Sequence, residues 1–164
     1  MAAGSTPAIR TLTRAEVPHR VHVYKHDPRS DSYGTEAVDA LGAELGVAAA
    51  QIFKTLVIEL ATGSLAVAVL PVPNTLSLKA AAAALGASKA SMADRTRAEK
   101  TTGYVLGGIS PLGQRKPLPT VIDNSALSWD RVLCSAGRRG LEIELAPADL
   151  IRLTSAVTAP VISA

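Results

Sequence analysis

The chain has one cysteine, Cys134, in 164 residues. It therefore forms no internal disulfide, and the crosslinked framework of a small secreted module is excluded. The longest uncharged apolar stretch, SLAVAVLPVP, is too short for a bilayer and carries two prolines, so no membrane span is expected. No charged segment followed by an apolar run opens the sequence, which makes a reducing cytoplasm the expected compartment. Internal repeats and long linkers are lacking too. At 48% hydrophobic and 19% charged residues, the chain falls outside the disordered regime and suits one folded domain over 1–164, with 1–5 and 155–164 as flexible tails.

Several catalytic signatures are missing as well. His19, His22 and His26 lie close together, but no HExxH pattern or cysteine joins them, which favours surface histidines over metal ligands. Ser110 sits in GISPLG rather than a G-x-S-x-G elbow, and Pro111 forbids the helix that should follow. Cys134 lies in DRVLCS with no identifiable base beside it. Nothing in the pattern calls for a metal or an organic cofactor.

What the sequence does have is a clear order of local signals. Ser5-Thr6-Pro7 opens a helix over about 7–16, and RVHVYKH alternates like a strand with one buried face. GTEAVDALGAELG is a helix stopped at Gly46. QIFKTLVIEL and SLAVAVLP, joined by Ala-Thr-Gly, form a hairpin at the centre of a sheet. Ser77 caps a helix in SLKAAAAALG, and Asp94 and Gly103 bracket another. PTVID, DRVLCS and LEIEL are strands, and Pro147 starts a closing helix. Hairpin-length connections among interspersed helices predict an α/β (α+β) fold with a mixed, largely antiparallel sheet and flanking helices.

Two features carry possible chemistry. In IFKTLVIEL the pleat puts Lys54 on one face with Ile52, Leu56 and Ile58. Such a lysine either snorkels to water from the strand end or faces a ligand cavity. The second feature is YVLGGISPLGQRKPLP, residues 104–119, with three glycines and three prolines. Gly107 and Gly108 offer backbone amides that no side chain obstructs, either as a tight bend or as a seat for an oxyanion. Arg115-Lys116 and Arg138-Arg139 are basic pairs in a chain of net charge +3; this mild excess permits contact with phosphates without requiring it.

Taken together, TPAIRTL, VYKHD, IFKTLVIEL, LAVAVLPV, ALGASKASMAD, TTGYVLGGISPLGQRKPLPTVID and GRRGLEIEL resemble the YbaK family of Cys-tRNA(Pro) deacylases, from Thr6 to about Leu153. The resemblance implies a sheet curved toward a barrel, the fold shared with the editing domain of prolyl-tRNA synthetase. It also implies an enzyme that hydrolyses mischarged Cys-tRNA(Pro) in trans. The implied partners are that tRNA and a prolyl-tRNA synthetase, with no role for DNA or a membrane. By position, the essential lysine falls on Lys54, and the substrate cleft on Tyr24, Tyr33, Thr55, Gly107, Ser135 and Glu142. Gly108, Ile109, Ser110 and Pro111 complete the loop around the substrate, and Arg115, Lys116, Arg138 and Arg139 are candidates for tRNA phosphates. Glu142 and Tyr33 stand where a family member carries Asp and Phe. The implied mechanism has the cysteinyl thiol attack its own ester, so the protein needs no nucleophile of its own. A non-catalytic tRNA-binding or synthetase-binding module of the same fold is the alternative.

Overall fold

The computed structural model describes residues 5–27, 29 and 33–163 of the chain. Helix α1 (Pro7–Arg14) begins where the Thr6 hydroxyl accepts the Ile9 N–H and proline occupies the first turn, and it buries Ala8 and Leu12. Strand β1 (His19–Val23) and helix α2 (Tyr33–Leu45) follow, and Gly46 ends α2 with φ +70. Strands β2 (Phe53–Leu60) and β3 (Leu65–Pro71) form the expected hairpin. Helix α3 (Leu78–Ala84) starts at Ser77, whose hydroxyl accepts the Ala80 N–H, and the short strand β4 (Ala90–Met92) comes next. Helix α4 (Arg95–Thr102) runs from the Asp94 cap to Gly103 at φ +83. The chain closes with β5 (Thr120–Asp123), β6 (Val132–Arg138), β7 (Leu141–Leu145), α5 (Pro147–Thr154) and β8 (Val157–Ala159).

The strands form two sheets rather than one. Strand order is β1-β7-β6 in the first, which is antiparallel throughout, and β4-β2-β3-β5-β8 in the second. In the second sheet the pairs β3–β5 and β5–β8 are parallel and the other two antiparallel. Over both sheets the pairing is therefore mixed and mostly antiparallel, as expected, but no barrel closes. The two sheets meet at a single parallel bridge between Ile52 and Leu133. Beyond that bridge β2 pairs with β4 only from Ile58 onward, so the outer edge of its first half is unpaired.

One core lies between the sheets. Val67, Val69 and Ile122 meet Cys134, Ile143 and Leu145 there, with Leu12 of α1 and Leu150 of α5 sealing the ends. The opposite face of the β2–β3 hairpin buries Ile58, Ala66, Ala68 and Leu70 against Ala81 of α3. The alanine run of α3 thus belongs to the core, because short side chains on both partners let the helix lie close to the sheet.

Two expectations are corrected. In RVHVYKH, where Val21 and Val23 alternate with His22 and Tyr24, Val23 is 62% exposed whereas Tyr24, just past β1, is buried, so the expected single buried face does not run the whole length of the segment. Residues 155–163 are not a loose tail: β8 pairs with β5, Val161 is fully buried and its N–H donates to Asp123 Oδ1 at 2.9 Å. The expected tail at 1–5 lies outside the described residues except for Ser5.

Candidate active site

A cavity of about 420 Å³ opens beside the unpaired half of β2. Five consecutive residues, Ile52 just before the strand and Phe53 to Leu56 within it, line it. Successive side chains of a strand point to opposite faces, so a run of five shows that the strand's edge itself borders the space. Glu142 and Ser135, which face each other in the β6–β7 register, form another wall with Tyr24. Gly34, Thr35 and Ala37 at the start of α2, with Val72, form a third, and Leu106, Gly107 and Ile109 close it from the loop after α4.

Lys54 is half-buried, and its Nζ donates to the Asn74 carbonyl at 2.6 Å. Burial lowers its pKa. No carboxylate lies within ion-pairing distance of it among the described residues. Glu142 is only 5% exposed, and loss of hydration pushes its carboxyl up to about 8, so near neutral pH it is mostly protonated. The Tyr24 phenol is pushed up to about 12, first by burial and then by the nearby Glu142. The Thr55 hydroxyl oxygen is buried without a hydrogen-bond partner, an arrangement that costs roughly 1–3 kcal/mol. The cavity therefore offers one ammonium and one neutral acid. That set suits a group with developing negative charge better than a cation.

The glycine-rich loop divides in two. Gly107, at φ +90, lines the cavity, and among the described residues no acceptor takes its N–H. Gly108 does not line it: its N–H donates to the Val105 carbonyl at 2.8 Å, and a Cβ there would stand 2.9 Å from Arg138 Cα. The second glycine is therefore needed for close backbone packing rather than for an exposed amide. Ser110 and Pro111 are buried away from the cavity, with Ser110 Oγ accepting the Leu112 N–H at 3.2 Å. Gly113 brings the loop onto α1, where a Cβ would stand 2.5 Å from the Pro7 carbonyl carbon.

Of the residues expected from sequence, the cavity brings together Tyr24, Lys54, Thr55, Gly107, Ile109, Ser135 and Glu142. The side chain of Tyr33 lies outside the described residues. Arg115, Lys116, Arg138 and Arg139 do not line the cavity; Arg138 and Arg139 instead border an adjacent groove of about 510 Å³ with Tyr104, Val105 and Gly108. The histidines are half-buried rather than superficial. His22 Nε2 lies 2.8 Å from Glu144 Oε1, and His26 Nδ1 lies 2.8 Å from Glu36 Oε1. Among the described residues no three His, Cys, Asp or Glu side chains converge as metal ligands, and no helix is long and apolar enough to cross a membrane. Sequence reasoning reached α2 only at Tyr33, its first residue, and missed Gly34, Thr35, Ala37 and Val72. Gly34 and Val72 pack closely, since a Cβ on the glycine would stand 3.0 Å from Val72 Cγ1.

Comparison with known proteins identifies the family. Residues 34–153 match the family model "Aminoacyl-tRNA editing domain". A protein of Enterococcus faecalis (strain ATCC 700802 / V583), named "Putative Cys-tRNA(Pro)/Cys-tRNA(Cys) deacylase EbsC", is 38% identical over 152 residues, 92% of this chain and 88% of its own. The crystal structure of "a putative trans-editing enzyme for prolyl tRNA synthetase" superposes with a TM-score of 0.80 at 24% identity, over 98% of this chain and 100% of that one. The crystal structure of "hypothetical protein APE2540" superposes with a TM-score of 0.82 at 25% identity, over 96% and 100%. With the family match spanning most of the sequence and the cavity's walls falling largely within it, the chain belongs to the aminoacyl-tRNA editing domain family.

Proposed function

We propose that the chain deacylates tRNA(Pro) mischarged with cysteine, acting in trans, and that a prolyl-tRNA synthetase supplies tRNA identity. The observation that carries this reading is the convergence of Lys54, Thr55, Gly107 and Glu142 on one cavity. The likeness to the enterococcal deacylase supports it. In this reading the aminoacyl ester enters beside β2. The cysteinyl sulfur, after losing its proton, attacks the ester carbonyl carbon and the carbonyl π pair moves onto oxygen. Collapse then breaks the bond to the ribose oxygen, which takes up a proton, and water opens the resulting thiolactone to free cysteine. The protein holds the sulfur near the carbonyl and stabilises the oxygen's charge, so intramolecular proximity does the work of a protein nucleophile. Glu142, mostly protonated, donates a hydrogen bond within the cavity without adding a negative charge to repel the oxyanion.

The test is to incubate the protein with Cys-tRNA(Pro), Ser-tRNA(Pro), Ala-tRNA(Pro) and Pro-tRNA(Pro) and follow ester loss. Cys-tRNA(Pro) is expected to be cleared fastest. Equal clearance of the serine ester, which keeps the shape but lacks the thiol, refutes thiol assistance. An unchanged cysteine ester at high enzyme refutes the deacylase reading itself.

A further inference from the structure

The chain on either side of Leu106, at the cavity's edge, is held by two charged side chains from different elements: Glu99 takes the Val105–Leu106 peptide and Arg139 the Leu106–Gly107 peptide. The Leu106 N–H donates to Glu99 Oε2 of α4 at 2.7 Å. The Leu106 carbonyl accepts two hydrogen bonds from Arg139, at 3.0 Å from Nε and 2.7 Å from Nη2. The chain contains no cis peptide among its described residues, and in a trans peptide the C=O and the following N–H point in opposite directions. Leu106 and Gly107 line the cavity, whereas Arg139 lies outside it in the neighbouring groove. A carbonyl drawn toward Arg139 therefore turns the Gly107 N–H the other way, toward the cavity, and this N–H has no acceptor among the described residues. Gly108 makes the grip possible, because a Cβ there would stand 2.9 Å from Arg138 Cα and 3.0 Å from the Arg139 N and so hold the loop off the β6–β7 turn.

We propose that Arg139, by holding the Leu106–Gly107 peptide, and Glu99, by holding the peptide before it, are positioning residues that aim the Gly107 N–H at the oxygen that becomes negative during ester cleavage. This inference rests on the deacylase reading above. It assigns Arg139 to catalytic geometry rather than to tRNA phosphates. Preorganised backbone donors act on the transition state more than on the bound substrate. Losing the aim should therefore lower kcat and leave KM nearly alone. A guanidinium that spans one carbonyl with two donors has no equivalent in lysine, which keeps the charge but not the fork.

The experiment compares wild type with Arg139→Ala, Arg139→Lys and Glu99→Ala on Cys-tRNA(Pro), beside the backbone 15N order parameter of Gly107 in the free protein and a melting curve for each. Expected are a fall in kcat on the order of 10- to 100-fold for both Arg139 variants, KM within about twofold, and a lower Gly107 order parameter in all three variants, because the N–H direction is no longer fixed. Unchanged kcat with a several-fold higher KM, restored by Arg139→Lys, overturns the proposal and makes Arg139 a phosphate contact. An unchanged Gly107 order parameter in folded Arg139→Ala also overturns it. That relaxation measurement needs no activity, so it still decides the positioning role if wild type fails to cleave Cys-tRNA(Pro), a failure that would count against the deacylase reading alone.

Discussion

At the start of β2, Lys54 gives up much of its hydration and receives one carbonyl, that of Asn74, in return. A single hydrogen bond nets about 1 kcal/mol, and relief of the buried charge offsets part of its loss. Lys54→Ala is therefore expected to cut deacylation at least 100-fold while moving the melting temperature by no more than about 3 °C; a collapse of the fold would mark the lysine as a structural element instead. Glu142 gives the opposite balance, because burial raises its pKa from 4.5 to about 8. The folded state then keeps a proton that the unfolded state releases. Below the unfolded value both states hold it, and between there and about 8 stability falls as pH rises, on the order of 1 kcal/mol per pH unit, after which the loss levels off. Glu142→Gln removes this penalty. Melting curves from pH 4 to 9 should show the variant gaining on wild type up to about pH 8, and parallel profiles would mean that Glu142 ionises normally.

At the scale of elements, what can be read from sequence is what local chemistry specifies. The β2–β3 hairpin and α3 follow from apolar runs, and the polar α4 from its caps; Ser77, Asp94 and Gly103 each occupy the expected cap. Strands β4 and β8 are three residues long and have no period of their own; their neighbours in the sheet define them. The site divides the same way. Lys54 among aliphatic residues and a glycine pair are local anomalies, so both are visible, whereas Thr35 and Val72 join the cavity only because α2 folds back over the sheet. The different tasks of Gly107 and Gly108 are hidden too, since close approach to Arg138 depends on tertiary packing. Strand β8 yields a test. Besides its pairing with β5, the segment buries Val161, gives that residue's N–H to Asp123, and accepts the Ser77 N–H at the Val161 carbonyl at the start of α3. Ending the chain after Thr154 should leave the Asp123 carboxylate without that donor and uncover Val121, lowering the melting temperature by roughly 10 °C or more; an unchanged melt would show that the segment adds nothing.

For the whole molecule, the net charge of +3 is too small to specify a polyanion partner, so the placement of charge matters more. Arg138 borders the groove beside the cavity together with Gly103 and Tyr104. Arg115 packs against Gly103 at one end of that groove, where a Cβ on the glycine would stand 3.4 Å from Arg115 Cβ, and the Arg115 N–H is held by the Thr102 carbonyl. Lys116 follows, exposed, with its N–H on the Thr101 carbonyl. The end of the glycine-rich loop and the β6–β7 turn thus set Arg115, Lys116 and Arg138 along one approach to the active site, with Arg115 Nη1 on the Lys100 carbonyl at 3.3 Å and Arg139 on the Leu106 carbonyl. Each phosphate contact releases condensed counterions, so the logarithm of the tRNA binding constant should fall against the logarithm of salt with a slope of roughly −2 to −3 for three contacts. Replacing Arg115 and Lys116 together with glutamine should flatten that slope by roughly 1 to 2 and weaken all tRNAs alike, because phosphates position the acceptor stem without reading its sequence. A slope unchanged by the double replacement would move the tRNA path to another face, and the cavity would then have to receive the aminoacyl end from a direction that leaves these side chains in free solvent.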